Sequence, residues 1–116
     1  MIPHRINAKL FVTDETAVSL TAPTAGEPNT SYNFTADVGP SFASTPITYT
    51  WEISAHPTIT NTGGLSDTIS LSWDSVGMKD VTVTAVNENG TPVTQTHTIH
   101  IALPEQKIYL PIVIKN

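Results

Sequence analysis

Threonine makes up about a sixth of this chain and recurs at every second position through much of it, which limits the fold more than any other feature. Its branched Cβ favours the extended backbone, and its hydroxyl lets it face water from a half-exposed sheet. Aliphatic and aromatic residues on the alternate positions complete a period of two, which belongs to strands and not to helices. Tyr32, Phe34, Ala36 and Val38 alternate with Asn33, Thr35 and Asp37 before Gly39-Pro40. Ile47, Tyr49, Trp51 and Ile53 alternate with Thr48, Thr50, Glu52 and Ser54 before His56-Pro57. Further strands are predicted through Ile69, Leu71 and Trp73, through Val81, Val83 and Ala85, and through Val93, Gln95, His97, Ile99 and Ile101. Weaker patterns cover Val18 to Thr21 and the region of Ile59.

Asn61-Thr62-Gly63-Gly64, Asp74-Ser75-Val76-Gly77 and Asn87-Glu88-Asn89-Gly90 carry turn chemistry, and the last predicts a tight hairpin because Asn-Gly suits a primed turn. About seven strands at intervals of roughly 8–12 residues, with no helical pattern to carry parallel crossovers, predict an all-β, antiparallel two-sheet β-sandwich. Its expected core is Tyr32, Phe34, Tyr49, Trp51, Ile69, Leu71, Val81, Val83 and Ile99. The sandwich is expected over residues 17–102, with residues 1–16 as an N-terminal extension or linker and residues 103–116 as a C-terminal tail.

A length of 116 residues suits one domain, and 39% hydrophobic with 13% charged residues describes a soluble globular one. The net charge of −5, with only Arg5, Lys9, Lys79, Lys107 and Lys115 as scattered cations, excludes a nucleic-acid partner that would need clustered positive charge. No apolar run reaches the roughly 20 residues of a membrane span. Cysteine is absent, which removes disulfides and thiolate metal sites. Met1-Ile2-Pro3-His4-Arg5 opens no signal-peptide pattern, so the chain is expected to be an excised domain.

The search for chemistry ends without a constellation. No Gly-x-Ser-x-Gly elbow is present. Of the four histidines, His97 and His100 fall on opposite faces of one strand because their separation is odd. His97 is expected to be half-buried with one hydrogen-bond partner, His56 to lie in a loop, and His4 to lie in the extension. Asp37 and Glu52 are expected on outward faces, while Asp67, Asp74, Asp80 and Glu88 are read as turn-capping and solubilising groups, and only Asp14-Glu15 are adjacent. No Asp-x-Asp-x-Asp-Gly run marks a calcium loop. No catalytic residue, metal ligand or cofactor is predicted. Trp51 and Trp73 alternate in phase with aliphatic neighbours and read as core, which leaves Phe42 and Tyr109 as candidate ligand-binding residues.

The succession Tyr49-Thr50-Trp51-Glu52, Ser72-Trp73-Asp74-Ser75-Val76-Gly77 and Val81-Thr82-Val83-Thr84-Ala85-Val86-Asn87 resembles the PKD (polycystic kidney disease) domain over most of residues 17–102. The family's Trp-Asp-Phe-Gly-Asp-Gly is replaced here by Trp51-Glu52-Ile53-Ser54-Ala55-His56, which keeps the Trp and an acid. The resemblance implies an immunoglobulin-like fold and a non-catalytic extracellular or cell-surface module of a secreted bacterial protein. Such a module acts as spacer or protein–protein contact, its partners being other domains of a larger parent protein. Two alternatives stand beside it. One is a carbohydrate or cell-wall binding module using Phe42, Trp73 or Tyr109 against a polysaccharide. The other is a self-assembling surface fibre in which residues 108–114 add as a strand to a neighbour's sheet. Lys107-Ile108-Tyr109-Leu110-Pro111-Ile112-Val113-Ile114-Lys115-Asn116 is also similar to a Tyr-Leu-Pro-aliphatic tail of exported proteins in some filamentous bacteria, which implies an export or attachment signal.

Overall fold

A computed structural model describes residues 15–88 and 90–104. The alternating segments fold into eight strands: β1 (Ala17–Thr21), β2 (Ala25–Gly26), β3 (Tyr32–Gly39), β4 (Ile47–Ile53), β5 (Ile59–Gly63), β6 (Ser66–Leu71), β7 (Gly77–Val86) and β8 (Val93–Ile101). Among the described residues there is no helix. One sheet has the order β1-β3-β6 and the other β2-β8-β7-β4-β5, and the two pack face to face as an immunoglobulin-like sandwich. The additional strand is β2, two residues long and paired parallel to β8, while the other pairings are antiparallel.

The phase of each strand follows its alternation. β4 buries Ile47, Tyr49, Trp51 and Ile53 and turns Thr48, Thr50 and Glu52 outward; β7 buries Val81, Val83 and Ala85. Trp51, Tyr49 and Phe34 are the largest fully buried side chains. Each such side chain contributes about 1.5–3 kcal/mol by leaving water, and a slip of one residue would turn a whole strand's set outward. Two expectations need correcting. β6 ends at Leu71, so Trp73 is not a strand residue, although it is buried in the core. Tyr32, expected in the core, is half-buried at the end of β3, where its ring lies on Gly26 and its hydroxyl accepts the Glu27 N–H at 2.7 Å.

The chain changes sheet on both flanks. Residues 22–24 carry it from β1 to β2 through Pro23, which has no N–H to leave unpaired. The Pro23 carbonyl accepts from His97 Nε2 at 2.8 Å, and the Thr24 carbonyl accepts the His100 N–H at 2.9 Å. On the other flank Gly64 and Leu65 carry it from β5 to β6. The expected turn at Asn61-Thr62-Gly63-Gly64 is therefore corrected: Asn61 to Gly63 lie in β5, paired with Tyr49 to Ile47, because pairing with a long central strand outweighs local turn preference.

The hairpin expected at Asn87-Glu88-Asn89-Gly90 is present, with a longer connection than a two-residue primed turn. β7 and β8 join through residues 87–92, with the Gly90 N–H bonded to the Asn87 carbonyl at 2.9 Å and Gly90 in the left-handed region at φ 87°. Asn87 opens this turn and is anchored from outside it, its N–H donating to Glu15 Oε1 at 3.1 Å, and Pro92 removes a donor from the far arm. Glu15 is 1% exposed, so this acid is a buried anchor and not a solubilising group.

Candidate binding cleft

The backbone leaves β4 through a turn in which the His56 N–H bonds to the Ile53 carbonyl at 3.1 Å and Ala55 takes a φ of 64°. A left-handed conformation costs a Cβ-bearing residue about 1–2 kcal/mol. That turn delivers the His56 ring edge-on to Trp73, with centroids 5.5 Å apart at 66°. Trp73, just past β6, donates its Nε1 to the Ser54 carbonyl at 2.8 Å. His56 Nε2 lies 2.7 Å from the Ser72 carbonyl, and since a carbonyl only accepts, Nε2 carries the proton. The loop between β2 and β3 closes the third side, where the Asn29 N–H donates to the Trp73 carbonyl at 2.7 Å and Asn29 has a φ of 60°.

These three loops enclose a cleft of about 230 Å³ lined by Asn29, Ala55, His56, Ser72, Trp73 and Asp74. Asn29 and Ala55 are the two non-glycine residues with positive φ among the described residues, and both line it. Of the two, Ala55 bears the steric cost, since asparagine adopts this region readily. The walls offer hydrogen bonding: an amide, a hydroxyl, an imidazole and one carboxylate. His56 Nε2 is engaged with the Ser72 carbonyl and not with its hydroxyl, so the pair is not an activated nucleophile. Among the described residues no three His, Asp or Glu side chains converge on a point that would hold a metal.

Phe42 lies at the opposite pole in the connection between β3 and β4, 72% exposed and separate from this cleft. Tyr109 and residues 108–114 lie outside the described residues. Trp51 and Trp73 are buried, so Trp73 is not an exposed sugar platform. His97 matches its expected role: half-buried, edge-on to Phe34 with centroids 6.0 Å apart, and bonded to one carbonyl. Asp37 and Glu52 are exposed on outward faces, whereas Asp67, read as a turn or solubility group, turns between the sheets and accepts from Trp51 Nε1 and Asn61 Nδ2, both at 2.9 Å. Beside it the fully buried Tyr49 donates its hydroxyl to the Gly64 carbonyl at 2.6 Å. Burial, followed by the charges of Asp67 and Asp37, pushes the Tyr49 pKa up to about 12.

The cleft was missed in sequence because its residues come from three separated loops. One local signal pointed to it: Pro28-Asn29 is the pair that suits a turn whose second central residue is left-handed. Ala55 gave none, since alanine does not announce positive φ.

A second concavity of about 350 Å³ lies beside the C-terminal end of β8, lined by Ala25, Gly26, Glu27, Tyr32, Ala102, Leu103 and Pro104. Leu103 is 72% exposed there.

Comparison with known proteins agrees with this architecture. Among solved structures, the PKD domain of an M14-like peptidase from a Thermoplasmatales archaeon superposes with a TM-score of 0.60 at 23% identity, covering 79% of this chain and 97% of that one. The CARDB domain of a Pyrococcus furiosus protein, solved in complex with di-metal ions, gives a TM-score of 0.55 at 16% identity over 81% of this chain and 98% of that one. A superoxide reductase (neelaredoxin) from Ignicoccus hospitalis gives 0.55 at 10% identity over 77% and 82%. At these identities the likeness is one of fold. No curated protein matches the chain. The family model of the PKD domain matches residues 16–100, which include both sheets and the cleft, and the chain belongs to the PKD domain family.

Proposed function

We propose that this domain is a non-catalytic spacer and protein-contact module within a larger secreted or cell-surface protein of a bacterium. PKD domains are generally non-catalytic and typically extracellular, and they serve as modules of larger proteins. One observation carries the reading for this chain. The backbone enters at Glu15, beside the connection that follows β7, and leaves at Pro104, beyond the far end of β8. The nine residues of β8 separate the two points by about 30 Å, so flanking segments are held apart on opposite poles. Its partners are the neighbouring domains of its parent, with residues 17–102 as the folded unit between an extension and a tail.

The test is distance and contact together. With dyes attached through Thr16→Cys and Leu103→Cys, the chain having no cysteine of its own, energy transfer should match one rigid step and stay constant as salt is varied. A broad distribution of distances would overturn the spacer role. The exposed ring of Phe42 favours polysaccharide recognition as the second reading. Saturable retention of the domain on an insoluble glycan, abolished by Phe42→Ala, would establish that reading in place of the first; no retention on any glycan keeps the spacer.

A further inference from the structure

Four strands lie at sheet edges, and three of them are guarded. β2 is too short to template a neighbour. β1 packs against β8 where the chain changes sheet, and the bond from His97 to Pro23 closes that flank. β6 carries the half-buried Asp67 turned inward, and an inward-pointing charge discourages strand addition. Among the described residues β5 has no such guard. Its residues Ile59–Gly63 contain no charge and no proline, they pair among the described residues with β4 on one side only, and Thr60, Thr62 and Gly63 are exposed.

We propose that β5 is a homophilic docking edge, pairing antiparallel with β5 of a second copy of this chain about a two-fold axis at Asn61. The strand is self-complementary in that register. Asn61 meets Asn61, Ile59 meets Gly63, and Thr60 meets Thr62, so every residue faces one on the same side of the sheet. The outward face extends without a break. Thr60, Thr50, Thr84 and Thr94 already stand in one row across four strands, and Thr62 stands beside Thr48 in the next. Threonine pairs on these sheets bond to each other, Thr84 to Thr94 at 3.2 Å, Thr82 to Thr96 at 2.9 Å and Thr35 to Thr68 at 2.9 Å. Thr60 with Thr62 of a second copy is the same contact repeated at the axis.

The magnitude sets where this pairing matters. Five paired residues a side bury well under the roughly 1,000 Å² of a stable interface, so isolated domains associate weakly. Copies held on one surface or one chain experience an effective concentration on the order of millimolar, enough to pair. Each copy carries a net charge of −5, none of it on β5, so screening by salt strengthens the association.

Sedimentation velocity of the full chain from about 10 µM to about 1 mM should show a monomer–dimer equilibrium that shifts toward dimer with salt. A Thr60→Lys, Thr62→Lys double variant, which sets like charges opposite each other, should remain monomeric at the top of that range. Thr82→Lys with Thr96→Lys, on the same face away from the edge, should dimerise like the parent. A monomer throughout, or a dimer that survives lysines at 60 and 62, overturns the proposal. A dimer lost instead on deleting residues 105–116 assigns the edge to that segment and also overturns it. Should the edge variant fail to fold, dilution shifts in amide spectra of the unaltered chain decide: shifts confined to residues 59–63 support the edge, and shifts elsewhere refute it. Failure here leaves the spacer role intact, since that rests on the two poles and not on the edge.

Discussion

Trp51 and Asp67 tie the two sheets together through one hydrogen bond, the indole Nε1 of β4 donating to the carboxylate Oδ2 of β6 at 2.9 Å. The indole is fully buried, so its only donor depends on a residue from the opposite sheet. The same oxygen accepts Asn61 Nδ2 from β5, which fixes the two-residue crossing at Gly64 and Leu65 from both sides.

Asp67→Ala should therefore cost about 1–3 kcal/mol, because a buried N–H is left without an acceptor. Asp67→Asn, which keeps a carbonyl oxygen at that position, should cost less. Urea midpoints of the two variants check this, and equal midpoints for Asp67→Ala and the parent would contradict it.

Tyr49 gives the domain an alkaline limit. Its folded-state pKa, raised to about 12 by burial, lies above the ordinary value of 10.0. A group whose proton is held more tightly in the folded state contributes in full below its unfolded pKa and loses that contribution as pH rises through the folded one. Stability should accordingly fall between pH about 10 and about 12, and Tyr49→Phe should lack that component. Denaturant midpoints across that window, compared between the two proteins, measure it.

Ala55→Gly should stabilise the domain by about 0.5–1 kcal/mol. Glycine relieves the left-handed cost at φ 64°, less the chain entropy it adds to the unfolded state. A lower melting temperature for this variant would show that the Ala55 methyl makes a contact that outweighs its conformation.

Gly26→Ala should destabilise by about 1–3 kcal/mol. A Cβ there would stand 2.5 Å from Tyr32 Cε2 and 2.6 Å from Cζ, and the ring is pinned by its hydroxyl bond to Glu27. Pairing the change with Tyr32→Ala should remove most of the loss, since the clash needs the ring. Full destabilisation in the double variant would place the strain elsewhere.

The cleft and the fold were legible to different degrees. The half-burial of His97 was predictable from the alternation of its own strand, though its partner was not, whereas His56, Trp73 and Asn29 meet only when three loops converge on one pole. The acids were hardest to read. Glu15 and Asp67 look like any surface carboxylates in sequence, and both serve donors contributed by distant segments.

The sequence by itself determined the strands and their phase, because pleating puts neighbouring side chains on opposite faces and the alternation of Thr with Val, Ile, Tyr and Trp records which face is dry. It determined the family as well, through the Tyr49 to Trp51 and Val81 to Asn87 segments. Tertiary structure alone decided which strand joins which sheet, where the chain crosses between them, and which edge is left open. A strand cannot satisfy its own hydrogen bonds, so its partners are chosen by the whole fold; Asn87 finds Glu15 across 72 residues and His97 finds Pro23 across 74.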